Sequence, residues 1–466
     1  MTEAAGSSAD ERALLARAAA LAADHLDTLV DRPVAAVVTP EAMLAAVDGP
    51  VPEGPRPPES VLESLAALAE PGLTAMGSGR FFGFVIGGSY PAALAADVLV
   101  SAWEQNSGLS AATPATAALE HQAGRWVLDL LGLPGQASVG FTTGGCMANF
   151  TGLAAGRHAV LAREGWDVEE SGLQGAPRVR VIASQERHAT IDVAVHLLGL
   201  GSGTVEALET DGQSRIRVAD LERALAAGSG PALVSLAAGN VNTGAFDPLA
   251  EAIEVAHSYG AWVHVDGAFG LWAGASESLR PLVAGVEQAD SWATDAHKWL
   301  NVPYDCGISI VRDQAALRAA MGVRAAYLVQ GGGLPDPMDL VPEFSRRARG
   351  VPVWAALSAL GRTGVAELIE RCCAHARRFA DGFAAMEGAE VLNDVVLNQV
   401  LVRFDEDDAV TRAVVAAVQD GGEAYPSGTT WKGLAGMRVS VSNWRTTEAD
   451  VDRTLAAVQR ALTAAR

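Results

Sequence analysis

The chain has 466 residues, 49% hydrophobic and 19% charged, which is enough material for a large buried core and about two to three domains. Its formal net charge of -21 argues against nucleic acid and anionic membranes as partners. The sequence contains no run of about 18 or more apolar residues, so no membrane-spanning segment is expected. The four cysteines form no CxxC pair and the N-terminus lacks the pattern of a signal peptide, so we expect a cytoplasmic protein.

Residues 1–90 are predicted to form a helical arm. After a loose tail of about a dozen residues, the alanine- and leucine-rich stretch 11–30 has helical spacing. The proline-rich stretch 49–60 interrupts this pattern, and a second helix is expected over residues 60–70. Because an alanine-rich amphipathic arm buries little surface by itself, we expect it to pack on another subunit.

Residues 91–350 alternate between short apolar strands and helices. The strand patterns are the β-branched runs 179–184, 231–239, 262–270 and 307–313, with helical stretches at 221–230 and 249–260 between them. This alternation predicts an α/β domain whose sheet is largely parallel. A long helix, two further strand patterns and a final helix from Glu448 predict a smaller α+β domain over residues 351–466.

A glycine-rich turn, GFTTGGCMANF, occupies residues 140–150 between a predicted strand and an apolar helix. Backbone N–H groups at such a turn and helix start bind phosphate well. Glycine pairs are also common at ordinary strand-to-helix turns, so a purely structural turn stays the alternative. The chain contains neither the GxxxxGK[ST] motif nor the GxGxxG fingerprint.

Three ionisable residues follow predicted strands or strand ends. Asp266 ends an apolar strand, where a carboxylate needs a cation or hydrogen-bond donors as partners. One interpretation is that Asp266 keeps a pyridinium nitrogen protonated, and the alternative is that it caps a helix. His188 is either catalytic or an ordinary polar residue. Lys298 is one of only two lysines, and it lies among tryptophans, prolines and apolar residues. A lysine forms Schiff bases and an arginine does not, although a lone lysine is usually a surface residue.

Together, the segments GGCMAN, SQERHAT, GNVNTGAFDPL, HVDGAFG and DAHKWLNVPYDCG resemble the group II pyridoxal-phosphate-dependent decarboxylases, which include the aromatic-amino-acid and glutamate decarboxylases. The resemblance runs from about Arg80 to the C-terminal MRVSVSNWRTTEADVD, and the aspartate 32 residues before the lysine (298 minus 266) is a specific feature. It implies a fold-type-I enzyme with a mainly parallel seven-stranded sheet. It also implies a homodimeric lyase that uses pyridoxal 5'-phosphate to convert an L-amino acid into an amine and carbon dioxide.

The resemblance assigns a role to each matching residue. It makes Lys298 the Schiff-base lysine, His188 the residue stacked on the pyridine ring, Asp266 the partner of the ring nitrogen and Ala268 the contact on the other face. By the same resemblance, Gly145, Cys146, Asp295 and His297 fall where the family binds phosphate. The remaining cofactor-binding positions are Asn240 and Asn242 at a strand end. Family members often carry serine where Cys146 stands, and many have a Gly-Thr-Thr run at the two asparagines.

The substrate residues are also carried over from the resemblance. Arg438 matches a position whose arginine can hold a substrate carboxylate, and arginine suits that bidentate task. Phe84, Val85, Trp103 and Leu109 lie where the family shapes its side-chain pocket, so an apolar or aromatic amino acid is expected. The alternative is that most of these four are core residues. No metal site is expected.

One departure from the family pattern concerns a tyrosine. Family decarboxylases usually place a tyrosine on a mobile loop, where it supports protonation of the product at Cα. The corresponding stretch 329–344 contains no tyrosine, and only Tyr327 lies just before it. Loss of this residue can redirect the family's chemistry toward an aldehyde.

Two alternatives to simple decarboxylation therefore stay open. One is another pyridoxal-phosphate reaction on the same fold: aldehyde-forming oxidative decarboxylation and deamination, aminotransfer or carbon–carbon cleavage. The other is a non-catalytic relative that serves as a binding partner, against which the retained Lys298, Asp266 and His188 argue.

Overall fold

The computed structural model describes residues 8–323 and 333–466, which form two β-sheets with helices packed against them. The helices are α1 (Ser8–Thr28), α2 (Pro40–Val47), α3 (Pro58–Ala69), α4 (Pro91–Trp103), α5 (Pro114–Leu131), α6 (Gly145–Arg163), α7 (Val168–Ser171), α8 (Ala189–Leu197), α9 (Val218–Ala227), α10 (Leu249–Ser258), α11 (Gln314–Met321), α12 (Gly350–Ala384), α13 (Asp408–Asp420) and α14 (Glu448–Ala465). The strands are β1 (Phe81–Phe82), β2 (Ser138–Thr142), β3 (Arg180–Ser184), β4 (Glu206–Leu208), β5 (Ala232–Ala237), β6 (Trp262–Asp266), β7 (Ser291–Asp295), β8 (Gly307–Val311), β9 (Ala389–Val391), β10 (Gln399–Phe404), β11 (Tyr425–Trp431) and β12 (Leu434–Ser440).

The larger sheet has seven strands in the order β2-β8-β7-β6-β5-β3-β4. Strands β7, β6, β5, β3 and β4 are parallel, whereas β8 runs antiparallel to both of its neighbours. The mainly parallel seven-stranded sheet expected from the sequence is confirmed. Since parallel strands joined by helical crossovers end at the same edge, the loops after β3, β5, β6 and β7 are brought together there.

Strand β6 shows how the sheet sorts its side chains between two helical layers. Val263 and Val265 belong to the main core, on the side of α5, α9 and α10. Trp262 packs in the second core cluster with α6, α8 and α11, and His264 bonds to α6 from the same face. Because side chains alternate along a strand, Asp266 shares the face of Trp262 and His264.

The smaller sheet has the order β1-β11-β12-β10-β9 and joins the two ends of the chain. Strand β1 comes from the N-terminal part and pairs in parallel with β11. Arg80, just before β1, is buried and donates to the carbonyls of Glu423, Val30 and Arg32. The sequence patterns did not predict the pairing of β1 with β11. Together with the Arg80 hydrogen bonds, it fixes the segment that follows Arg80 beside the C-terminal strands.

The N-terminal arm differs in two respects from its prediction. Helix α1 begins at Ser8, so the expected loose tail is wrong for residues 8–12, while residues 1–7 lie outside the described ranges. Helix α2 was not predicted, and it begins with Thr39 as its N-cap and Pro40 in its first turn. All residues of α2 and α3 are described, and none of them is buried.

A buried ion pair joins α5 to the segment just before α12. Arg346 donates to both oxygens of the Glu120 carboxylate, at 2.6 and 2.9 Å, and also to the carbonyl of Phe141 at the end of β2. Removing one partner of such a pair leaves a buried charge without compensation. Through its bond to the Phe141 carbonyl, the paired Arg346 also holds β2, the strand that leads into the glycine-rich turn.

The division into domains stays our proposal. The larger sheet lies within residues 138–311, and four of the five strands of the smaller sheet lie after residue 351. We propose residues 1–90, 91–350 and 351–466 as the arm, the large domain and the small domain. Every helix in the described ranges is too short or too polar to cross a bilayer.

Candidate active site

A cavity lies where the loops after β3, β5, β6 and β7 meet, and it brings together Lys298, His188 and Asp266. Up to 110 residues separate these three along the chain (298 minus 188). The complete lining consists of Val85, Glu186, His188, Ala237, Gly239, Asn240, Val241, Asp266, Ala268, Phe269 and Lys298. The structure therefore assembles the lysine, the histidine, the carboxylate and Ala268 that the sequence singled out.

Lys298 is held by a buried carboxylate three residues before it. Its Nζ lies 2.8 Å from Oδ2 of Asp295, the last residue of β7, which is 1% exposed. The other oxygen of Asp295 accepts no hydrogen bond within the described ranges. A carboxylate removed from water in this way needs a nearby cation, and Lys298 supplies it.

His297 lies against the same carboxylate. The backbone N–H of Cys306 donates to its Nδ1 at 3.1 Å, so a neutral ring carries its proton on Nε2, which is 3.5 Å from Oδ1 of Asp295. Burial lowers the pKa of His297, and the Asp295 carboxylate opposes this shift. The ring of Tyr304 stacks on the imidazole with centroids 4.3 Å apart. His297 is thus a neutral, buried donor turned toward Asp295.

Asp266 stands at the end of β6 and is held on two sides. Its Oδ1 accepts from the backbone N–H of Ala268, and its Oδ2 accepts from the side-chain amide of Asn149 on α6, both at 3.3 Å. His188 is the N-cap of α8; its Nδ1 lies 3.3 Å from the backbone N–H and 2.8 Å from the hydroxyl of Thr190. The ring of His188 stays exposed toward the cavity.

The glycine-rich turn places the start of α6 next to these groups. Gly144 is the N-cap, and no described side chain caps the helix. A helix N-terminus with free N–H groups and no side-chain cap is a favourable site for an anion. Burial, followed by the charges of Asp266 and Asp295, raises the pKa of the Cys146 thiol, so Cys146 is a neutral thiol at this turn.

Two predicted cofactor residues are engaged elsewhere. Asn240 lines the cavity, but its Oδ1 accepts from the backbone N–H groups of Asn242 and Thr243, and its amide donates to the carbonyl of Glu186. Asn242 is not part of the lining, and its Oδ1 accepts from the hydroxyl of Thr429. Both side chains therefore shape the loop after β5.

The predicted substrate residues are distributed unevenly around the cavity. Val85 lines it, whereas Phe84 and Trp103 are 56% and 44% exposed and lie outside the lining. Leu109 is half-buried and also outside the lining. Tyr327 falls outside the described residues.

Arg438 is a buried cation with an unusual set of partners. Its guanidinium donates to the backbone carbonyls of Val241 and Phe84, and its Nε makes no hydrogen bond within the described part of the chain. No described carboxylate lies within ion-pair distance of it. Burial lowers its pKa to about 10, so it stays charged at neutral pH. Arg438 is not part of the cavity lining, but its guanidinium has unused capacity to bind an anion.

Sequence reasoning missed several residues that build the site. They are Gly87, Asn149, Glu186, His264, Phe269 and Tyr304. Gly87 lies shortly after Arg80, where the resemblance begins, and a Cβ at Gly87 would lie 1.7 Å from the carbonyl oxygen of Lys298. The sequence did carry one signal for two of these residues. Asn149 lies in GGCMAN and His264 lies in HVDGAFG, and both motifs had already been singled out.

Known proteins with similar sequences and folds point to one family. The family model described as the pyridoxal-dependent decarboxylase conserved domain matches residues 40–405. The chain is 27% identical over 457 residues to an aromatic-L-amino-acid decarboxylase of Bacillus atrophaeus, covering 94% of this chain and 93% of that one. It is also 27% identical to 4-hydroxyphenylacetaldehyde synthase of Rhodiola rosea, with coverages of 92% and 90%. A solved structure described as Oryza sativa TDC with PLP and tryptamine superposes with a TM-score of 0.92 at 26% identity, covering 99% of each chain.

We predict that Gly87→Ala displaces Lys298. The added methyl group would overlap the Lys298 carbonyl, so the backbone has to move, at a cost of about 1–3 kcal/mol or more. Thermal unfolding should show a lower midpoint than that of the parent protein. Gly135→Ala is the matched control because nothing lies within 4 Å of a Cβ there. Equal midpoints for both variants would show that Gly87 is not sterically required.

Proposed function

The chain belongs to the pyridoxal-dependent decarboxylase family, and on that premise we propose how its own residues decarboxylate an L-amino acid. The protein is a lyase that depends on pyridoxal phosphate and releases carbon dioxide from its substrate. The observation that carries the assignment of residues is the convergence of Lys298, Asp266 and His188 on one cavity from three separate loops.

The donor and acceptor groups around the cavity fit pyridoxal phosphate. The start of α6 offers N–H groups to a phosphate, Asp266 offers a carboxylate to the pyridinium nitrogen, and Lys298 offers the amine for a covalent bond. When bound, the cofactor draws the electron pair of the Cα–carboxylate bond into its ring. His188 and Ala268 line the cavity beside these groups and are proposed to hold the two faces of the ring.

Asp295 is proposed to position Lys298. Two anions repel each other, so a carboxylate would not favour a phosphate, whereas it holds the Lys298 ammonium at 2.8 Å. We therefore assign phosphate binding to Gly145, Cys146 and the helix start. His297, whose Nε2–H faces Asp295, supports the same carboxylate.

We predict that Lys298 is the lysine bound to the cofactor. Borohydride reduction of the holoenzyme followed by peptide mapping should place the label on Lys298. Lys432 is the internal comparison because it is the only other lysine, and its Nζ contacts the carbonyl of Asp211 on the surface. A label on Lys432, or on no lysine, would contradict the assignment.

We propose that the substrate is an amino acid with an apolar or aromatic side chain and that Arg438 binds its α-carboxylate. The support for the second part is a buried guanidinium with no carboxylate partner within the described ranges. The support for the first part is the apolar Val85 and Phe269 in the lining and the exposed Phe84 next to it. Similarity to an aromatic-L-amino-acid decarboxylase points in the same direction.

Replacing Arg438 by glutamine should raise KM for every accepted amino acid by roughly 10- to 100-fold. The effect should fall mainly on KM because the carboxylate loses its charge as carbon dioxide forms. Carbon dioxide release should be measured for aromatic, aliphatic and acidic amino acids, with Arg438→Lys as the charge-preserving control. Loss confined to acidic amino acids would mean that Arg438 binds a side-chain carboxylate and that the substrate is acidic.

We propose that the enzyme is a homodimer formed through its N-terminal arm. Helices α2 and α3 bury no residue within one chain, yet they expose large apolar side chains at Leu44, Val47, Val61 and Leu65. Two helices with this composition need a partner surface to cover them. A second copy of the chain is the proposed partner, since two-fold dimers are the commonest oligomers.

Light scattering should give twice the chain mass of 48.1 kDa at working concentration. Leu65→Glu in α3 should shift the protein toward the monomer because it places a charge in the proposed interface. Leu434→Glu, at an exposed apolar residue of the smaller sheet, is the control and should leave the dimer intact. A monomeric parent protein with full activity would contradict the dimer.

We propose the cytoplasm as the location of the enzyme. The described cysteines, Cys146, Cys306, Cys372 and Cys373, are all free thiols. Burial raises the pKa of Cys372 to about 11, so it is protonated at neutral pH. Free thiols of this kind are typical of a reducing compartment.

Aldehyde formation is the second candidate activity. The observation that favours it is the absence of tyrosine from residues 329–344, together with the similarity to 4-hydroxyphenylacetaldehyde synthase. In the described part of this stretch, Met338 is 1% exposed and its N–H donates to the carbonyl of Gly108, so it is a packed position rather than a place for a catalytic side chain. The Nε2–H of His297 is turned toward Asp295, so His297 is not the proton donor we propose for Cα. Tyr327, and Tyr304, which stacks on His297, are the tyrosines to test instead.

We predict that part of the product under air is aldehyde with hydrogen peroxide, in addition to amine. Tyr327→Phe should increase that part severalfold if Tyr327 supports protonation at Cα, and Tyr304→Phe is the matched comparison. The measurement is the ratio of aldehyde plus peroxide to amine. Pure amine from the parent and from both variants would show that neither tyrosine is needed and that decarboxylation to the amine is the whole reaction.

A further inference from the structure

A continuous row of hydrogen bonds runs through the core to Asp266. The indole N–H of Trp262 donates to Oγ of Ser291 at 2.9 Å, and that hydroxyl lies 2.9 Å from Nδ1 of His264. Nε2 of His264 lies 2.9 Å from Oδ1 of Asn149. The amide nitrogen of Asn149 donates to Oδ2 of Asp266 at 3.3 Å and also to the hydroxyl of Thr190 at 3.1 Å. The four residues before Asp266 in this row (Trp262, Ser291, His264 and Asn149) are at most 1% exposed, so water does not compete for the bonds between them.

The direction of the row follows from its first member. Because an indole has only a donor, Ser291 must accept from Trp262 and has one proton of its own to donate. Nδ1 of His264, at 2.9 Å, is a closer acceptor for that proton than the carbonyl of Gly152, at 3.4 Å. A neutral imidazole that accepts at Nδ1 carries its proton on Nε2, which donates to the oxygen of Asn149. The Asn149 amide is thereby oriented with its NH₂ group toward Asp266.

We infer that Asn149 and His264 are positioning residues for Asp266, which they hold as an oriented, ionised carboxylate for the pyridinium nitrogen. The inference rests on the proposed role of Asp266. A donated hydrogen bond stabilises the charged form of a carboxylate over its protonated form. An Asn149 amide turned the other way would present an oxygen to Asp266 and have the opposite effect.

The surroundings of His264 favour this role over a simple space-filling one. It is completely buried, and burial lowers its pKa to about 3, so the ring is neutral and keeps one donor and one acceptor at working pH. Gly152 of α6 packs so closely that a Cβ there would lie 2.7 Å from Nδ1 of His264. Helix α6, which also carries the glycine-rich turn, is thus fixed against the strand that carries Asp266.

The first test is a double-mutant cycle on the holoenzyme. Asn149→Ala should lower kcat by about 10- to 100-fold with little change in KM, since a hydrogen bond to a charged group is lost. The same substitution in an Asp266→Asn background should have a much smaller effect, because Asn149 acts mainly through that carboxylate; the bond from Asn149 to Thr190 is the part that would remain. Asn398→Ala is the matched control: Asn398 is equally buried but donates to the carbonyl of Val441, so kcat of the folded enzyme should be unchanged.

Asn149→Asp is a second variant that keeps the shape of the side chain and places an oxygen against Asp266. It should lower kcat at least as much as Asn149→Ala. Parent-like kcat in this variant would overturn the proposal, as would an Asn149→Ala effect that is fully additive with Asp266→Asn. Parent-like turnover of Asp266→Asn itself would instead refute the proposed role of Asp266, which separates the two failures.

The second test does not depend on turnover. In full-length protein labelled with ¹⁵N-histidine, nitrogen chemical shifts should show His264 as the Nε2–H tautomer from about pH 6 to 8. The chain has nine histidines, and the signal is identified by its loss in His264→Gln. An Nδ1–H tautomer or a doubly protonated ring would overturn the direction of the row and, with it, the orientation of Asn149.

Discussion

Charges withdrawn from water are the constraint on which this active site depends. Asp295 is 1% exposed and is paired with Lys298, and Asp266 is held by donors from Asn149 and Ala268. Asp295 would be too costly at a strand end without Lys298, because it would be an unpaired buried charge, and the half-buried Asp266 is oriented by its two donors. The need to pair each charge therefore determines which side chains surround the cavity, and it leaves Arg438 as a cation whose carboxylate partner is proposed to be the substrate.

The sheet supplies the geometry that makes such pairing possible. Parallel strands end at one edge, so the residues after β3, β5, β6 and β7 meet although they are far apart in sequence. Side-chain alternation along β6 then turns Asp266 toward α6, the helix whose uncapped start is proposed to bind phosphate. One helix thus serves both ends of the proposed cofactor site, the phosphate through its backbone and the ring nitrogen through Asn149.

The chain by itself leaves part of its surface uncovered. Helices α2 and α3 bury none of their residues, whereas the segment that follows Arg80 is fixed between the smaller sheet and Lys298. Gly87 is required at that contact because any larger residue would overlap the Lys298 backbone. The arm is therefore connected to Lys298 through a short, tightly packed segment.

The sequence alone determined the α/β architecture, the mainly parallel sheet and the set of residues led by Lys298, Asp266 and His188, because periodicity and motif spacing are local properties. The tertiary structure decided which atoms these residues meet. It paired Asp295 with Lys298, used the side chain of Asn240 to shape a loop, and brought His264 and Asn149 together from motifs 115 residues apart. Contacts of this kind depend on which face of a strand meets which helix, and that choice is made by packing across the whole core rather than by any single segment.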